Sequence, residues 1–305
     1  MTPVAPRASM VPNVLRGILY MSVAVSLFPL LNAAVKYLTS ELAIAVIIWF
    51  RYATHLVFMV VGFGPQRGLQ RLFTSVRPGT QIVRSVLLLV ATTLYVIAIS
   101  NVSLTTAASI SFTSPLMVVA LSAPFLGERV GAQRWFAVLA GFVGALIIIR
   151  PTGGVTHWTG YLVLVTAACY AVFQIMTRAL AAYDEAETTN TYAALVGFLV
   201  MSAIVPFIWE TPVGWLQWGL LLSLGLSGGF GHYLVVKAYQ HGPAAVISPF
   251  GYVQLVGATG LGYVVFGDFP DEWTWLGAAI IIGSGLYVIY REGVRGRSPA
   301  PSGSK

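Results

Sequence analysis

The sequence predicts an all-α integral membrane protein, with ten transmembrane helices in two inverted five-helix repeats and both termini cytoplasmic. Three observations predict it. Of 305 residues, 57% are hydrophobic and only 9% are Asp, Glu, Lys or Arg, against about 25% charged in a soluble globular protein. Apolar runs recur at lengths near the roughly 20 residues that carry a helix across about 30 Å of hydrocarbon. Lys and Arg gather on alternate connections between those runs. With a mean hydropathy of +0.81, the solvent for most of the chain is lipid. A soluble enzyme, a disordered chain, a coiled coil and a nucleic-acid reader are excluded.

The candidate spans are 15–37, 42–63, 80–100, 104–124, 134–149, 158–180, 189–208, 217–239, 243–266 and 274–290. The first is too long for a cleavable signal peptide, and no A-x-A-like site follows it. The breaks at Ser100 to Ser103 and Gln240 to Gly242 are brief. Each carries polar residues, and the second is sharpened by Gly242-Pro243. With a cytoplasmic N-terminus, 14 Lys and Arg fall inside and two, Lys36 and Arg150, outside; Arg51 lies within a span. That asymmetry places both termini inside. Six of eight Trp fall at outer span ends, the belt expected of amphipathic rings. The stretch from Pro65 to Pro78 reads as a basic loop that fixes orientation. The single Cys169 forbids an internal disulfide and a multi-cysteine metal site, and no cofactor is called for.

An internal repeat accompanies the spans. A shift of 140 residues lays Gly127-Glu128 on Gly267-Asp268 and Trp135 on Trp275; a shift of 143 lays Gly17 on Gly160. Five spans per half is odd, so the second half enters the membrane from the opposite face, as in secondary transporters. The expected organisation is a tail at 1–14, repeats at 15–150 and 151–290, and a tail at 291–305.

The chain resembles the EamA-type branch of the drug/metabolite transporter superfamily. The resemblance rests on Glu41-Leu42 and Trp49-Phe50-Arg51-Tyr52 in span two. In span four it rests on Ala107-Ala108-Ser109, Pro115-Leu116 and the closing Phe125-Leu126-Gly127-Glu128, with Gly141 and Gly144 following in span five. Asp268 stands where Glu is usual, and Pro249 is six residues earlier than the repeat frame places it. The resemblance implies an inner-membrane transporter of small organic solutes, and within the branch it is most similar to the aromatic amino-acid exporters. Exporters of cationic drugs and nucleotide-sugar exchangers belong to the same superfamily.

Arg51 is the sharpest polar signal, because a charge within a span faces a cavity or a partner. It either receives a substrate carboxylate or secures the helix; its place in a family-wide pattern favours the second. His55 lies one turn on, on the same face. Pro29, Asn32 and Lys36 share a face of span one: Pro29 kinks or hinges it, Asn32 lines a cavity, and Lys36 reads as an interfacial anchor. Span four is rich in hydroxyls, Ser109, Ser111 and Ser114 among them, before Pro115; span nine repeats the theme with Ser248-Pro249, Tyr252 and Gln254. Helix breaks at equivalent places in two halves point to a midplane site. Tyr95, Tyr170, Gln174 and His232 are further mid-span groups that line a path or fill space between helices. The expected substrate-binding set is Asn32, Arg51, His55, Tyr95, Ser109, Tyr170, Gln174, His232 and Tyr252, with helix breaks at Pro29, Pro115 and Pro249.

No acid lies mid-span, which disfavours proton pumping and favours facilitated efflux. The chain has no Walker motif to couple ATP. The histidines form no H-E-x-x-H, and neither a mid-span Asp pair nor a credible Cys nucleophile supports an intramembrane enzyme. A filter-like loop or ring of charge for a channel is also missing. Spans five and ten, short and rich in glycine, are candidates for helix packing or homodimer contact.

Overall fold

The computed structural model describes residues 13–126, 132–149 and 158–295. The two tails, Arg150 and the Gly127-Glu128 pair of the repeat lie wholly or partly outside these residues. Every regular element within them is helical. The first half runs α1 (Val14–Leu38), α2 (Ile44–Arg67), the short α3 (Leu69–Phe73), α4 (Pro78–Ile99), α5 (Leu104–Ser111), α6 (Thr113–Leu126) and α7 (Ala132–Ile149). The second runs α8 (Thr159–Leu180), α9 (Ala186–Ile204) with a 3₁₀ turn over Val205–Phe207, α10 (Gly214–His241), α11 (Ala244–Ile247), a 3₁₀ segment over Ser248–Val253, α12 (Gln254–Phe266) and α13 (Glu272–Arg295).

Local chemistry sets the ends. The Asn13 side chain accepts from the Arg16 amide at 3.1 Å, and Ser103 accepts from the Thr106 amide at 3.1 Å, each satisfying a donor that a helix start leaves open. Pro78 occupies the first turn of α4. Gly267 closes α12 in the left-handed region at φ 69°, which an L side chain adopts only with strain. Among the described residues, seven helical stretches are long and apolar enough to cross a bilayer, and Trp135–Ile149 and Phe250–Phe266 are shorter apolar helices.

Large apolar side chains cover the outside, such as Leu19 and Val23 on α1, Val83 and Val90 on α4, and Leu226 and Phe230 on α10. Polar groups sit within, including His55, Gln81, Arg84, Gln174, Asn190 and His232. A lipid solvent selects this arrangement, since a polar group gains nothing by facing hydrocarbon.

Helix contacts come in matching pairs. Helix α1 packs along α10 as α8 packs along α4; α2 meets α10 as α9 meets α4; α1 touches α12 as α8 touches α6. Helices α2 and α9, and α7 and α13, pack on each other. At the last of these, a Cβ on Gly144 would come within 2.8 Å of the Gly277 carbonyl oxygen, so glycine is what lets the backbones approach. These glycines of spans five and ten serve contacts within the chain.

Three sequence expectations change. The stretch after Pro65 is not all loop: α2 runs to Arg67, and α3 buries Leu72 and packs against α9. Lys36 is not a plain anchor, because its Nζ lies 3.0 Å from Asp268 Oδ2 and 3.0 Å from the Val102 carbonyl oxygen. Arg84, counted among interfacial charges, is 0% exposed.

Candidate functional site

A cavity opens among α1, α2, α4, α5, α6, α8, α10 and the 3₁₀ segment before α12. Its volume is about 150 Å³. Helix α1 contributes Met21, Val25, Phe28 and Asn32, spaced by the three and four residues that put them on one face. Helix α4 contributes Leu88, Thr92 and Tyr95 on the same rule, and α8 contributes Thr166, Tyr170 and Gln174. Arg51 enters from α2 and His232 from α10.

The two interrupted helices meet here. Between α5 and α6 the chain breaks at Phe112, and Ser111, Phe112, Ser114 and Pro115 all reach the wall. From the opposite break come Ser248, Gly251 and Gln254. Pro115 lies in the first turn of α6, where its missing N–H costs least, and Pro249 stands inside the 3₁₀ segment. Pro29 lies within the unbroken α1 and packs against Gly257 of α12.

Arg51 is the one charged residue on the described wall, and none of the described lining residues is a carboxylate. Its Nη2 lies 3.3 Å from His232 Nε2. A guanidinium only donates, so Nε2 accepts and the imidazole carries its proton on Nδ1. That Nδ1 has no hydrogen-bond partner among the described residues. The His232 ring touches Phe28 at 5.2 Å between centroids and Tyr170 at 6.3 Å. Asn32 Nδ2 reaches toward the Tyr95 hydroxyl at 3.5 Å, and the Gln174 amide donates to Ser114 Oγ at 3.2 Å while accepting from the Tyr239 hydroxyl. The Tyr52 hydroxyl donates to Thr92 Oγ1 at 3.1 Å, steadying α2 on α4 beside the wall.

Of the residues singled out from the sequence, Asn32, Arg51, Tyr95, Tyr170, Gln174 and His232 meet at this cavity. His55, Ser109 and Tyr252 do not line it. His55 is buried where α2 meets α10, against Gly229. Ser109 is buried in α5. Tyr252 turns its ring to Phe112 and packs on Gly285 of α13. Phe28, Thr92 and Thr166 were missed, although Phe28 lies four residues before Asn32 and Thr92 three before Tyr95, spacings that carry the same faces onward.

The EamA-like transporter family matches the chain twice, over residues 15–150 and 157–291. A riboflavin transporter of Rhizobium johnstonii is 30% identical over 291 residues, covering 93% of this chain and 94% of its own. An S-adenosylmethionine uptake transporter of Rickettsia bellii is 31% identical, covering 84% and 87%. A pseudopaline exporter of Pseudomonas aeruginosa is 29% identical, covering 87% and 93%. A solved crystal structure, 18% identical, superposes with a TM-score of 0.71 over 92% of this chain and 98% of its own, which shows the fold. These relatives take chemically different cargoes, in both directions, and none of the three is named as an amino-acid exporter, so the resemblance holds at the level of the family. The chain is a multi-pass protein of the cell inner membrane and belongs to the EamA-like transporter family of small-metabolite transporters.

Proposed function

We propose that this protein exports a small organic metabolite that joins a carboxylate to an apolar or aromatic body, an aromatic amino acid being the plainest case. The observation that carries this reading is the makeup of the cavity wall: Arg51 as its charge, rings and amides around it, and no described carboxylate. A carboxylate placed at Arg51 forms charge-assisted hydrogen bonds. A cationic drug would meet Arg51 with nothing on the wall to neutralise it, and a nucleotide sugar would bring a second phosphate charge to a single cation.

Transport runs by alternating access between two inverted halves of five spans, 15–150 and 151–290, ten spans in all, with both termini cytoplasmic. The double family match, the exchanged helix contacts and the Lys/Arg asymmetry support this arrangement. Helix breaks from both halves border the cavity and supply hinges. The lack of a described acid on the wall favours facilitated efflux over proton coupling.

A second reading, a flat neutral ring compound of the riboflavin kind, is favoured by the relative from Rhizobium johnstonii and by the amide and hydroxyl groups on the wall. Counterflow in proteoliposomes separates the two. Labelled phenylalanine is expected to exchange, and phenethylamine, which lacks the carboxylate, to compete poorly. Arg51→Gln is expected to raise half-saturation about 10- to 100-fold, the worth of a hydrogen bond to a charged group. Exchange of riboflavin with phenylalanine inert would replace the first reading by the second.

A further inference from the structure

We propose that Arg84, which does not reach the cavity, is a positioning residue that sets the ring platform on which cargo lies. The inference rests on the reading of the central cavity as the cargo site and goes beyond it by naming what selects a ring.

Arg84 is fully buried on α4. Its Nε donates to Thr177 Oγ1 at 2.6 Å and its Nη1 to the Thr189 carbonyl oxygen at 3.1 Å, so it ties α4 to α8 and α9. A neutral side chain can make such a tie, and one does: Gln81, one turn earlier, donates to Asp184 and to Thr189 Oγ1. Burying a charge for that purpose alone is wasteful. The guanidinium has another contact. Its Cζ lies 4.2 Å from the centroid of the Phe173 ring. Phe173 in turn stacks on Tyr170, with centroids 5.3 Å apart and planes 18° from parallel. Tyr170 stands on the cavity wall. The contacts run from the cation to Phe173, from Phe173 to Tyr170 and from Tyr170 to the cavity.

This stack fixes the plane of Tyr170. A cation over one face of Phe173 holds that ring flat through its quadrupole, and an offset stack transmits the plane to the next ring. Beside the stack, His232 meets Tyr170 edge-on at 6.3 Å and Phe173 at 6.0 Å, and Phe28 adjoins His232 at 5.2 Å on the cavity wall. A planar cargo lies on Tyr170 with its polar end toward Arg51. A ringless cargo uses Arg51 and gains nothing from the platform.

The test compares phenylalanine, leucine and riboflavin in proteoliposomes containing the full chain, its Phe173→Leu variant, and Arg84→Lys and Arg84→Gln. Phe173→Leu keeps the site apolar and the tie made by Arg84, so it is the variant chosen to fold. It is expected to raise half-saturation for ring-bearing cargo about five-fold and to leave leucine within two-fold, with maximal rates kept. Arg84→Gln is expected to show the same split, and Arg84→Lys, which keeps the charge without the plane, to recover part of it. Equal shifts for ring and ringless cargo would mean that Arg84 only braces the helices, and the proposal falls. A wild-type protein that carries riboflavin but neither amino acid overturns the carboxylate reading, and the platform is then read on riboflavin alone, supported by a rise in its half-saturation in Phe173→Leu and Arg84→Gln with part recovered in Arg84→Lys and overturned by no rise; a wild-type protein that carries leucine and no ring compound overturns the platform itself.

Discussion

The two ends of the helix bundle are tied by ionic contacts of different depth. At the end where α1, α4 and α12 finish, Lys36 bridges Asp268 and the Val102 carbonyl, with the two charged side chains 18% and 34% exposed. At the other end two acids, Asp184 and Glu187, are buried, while Glu185 beside them is 29% exposed. Asp184 accepts from the Ser75 hydroxyl, the Val76 amide at 2.9 Å and the Gln81 amide at 2.8 Å. Glu187, 3% exposed, faces Arg67 at 3.4 Å and Lys237 at 3.6 Å and accepts from the Tyr233 hydroxyl at 3.1 Å. The ends also share a matching contact. Arg178 of α8 donates to the Tyr239 carbonyl at 2.6 Å, as Lys36 of α1 donates to that of Val102, under the same exchange that relates α8 to α1 and α10 to α4. What differs is the carboxylate cluster added at one end. A half-buried pair with one carboxylate partner separates at lower cost than a buried acid with several partners, which is costly to strip. Under the alternating-access proposal, the Lys36 end is the one expected to part at the lower cost.

The largest effect should come from the buried cluster. Glu187→Leu takes the acid from Lys237 and leaves Arg67 with Glu185 at 3.4 Å, and should cost about 3 kcal/mol, the low end for a broken buried pair because both cations reach solvent; thermal unfolding in detergent measures it. A loss no greater than that of an exposed pair would break the comparison. Next comes Asp184→Asn, which turns an acceptor of three hydrogen bonds into a mixed donor and acceptor and should cost about 2 kcal/mol in the same assay. Smallest is Asp268→Asn, expected within about 1 kcal/mol of the parent. Its signature lies in conformation: a cysteine placed at Ser111 in a Cys169→Ala background should label up to about five-fold faster, the factor that such an energy allows. Unchanged labelling would remove Lys36–Asp268 from the opening step.

Much of the site could be read along single helices. Asn32 and Tyr95 were legible because each lies mid-span on an apolar helix, and so was Arg51. Arg84 was misread because it lies near the start of its span, where a charge normally marks the interface. The residues around it held the missing signal: Gln81, Arg84, Leu88, Thr92 and Tyr95 recur at three and four and form one stripe, whose later members reach the cavity. Tyr252 shows the opposite failure. It follows a helix break, as a cavity residue should, yet within the 3₁₀ segment its ring is aimed at α13.

The sequence alone settled the solvent and the helical class, because hydrocarbon leaves each backbone no partner but itself and a local pattern suffices to say so; it placed a break at Pro29 where α1 runs on unbroken. Tertiary structure decided which polar groups meet. Lys36 and Asp268 are 232 positions apart, Arg51 and His232 181, and no periodicity within one helix carries information about the face of another. That choice belongs to packing, where small residues allow close approach and each buried polar group must find what the surrounding lipid cannot offer.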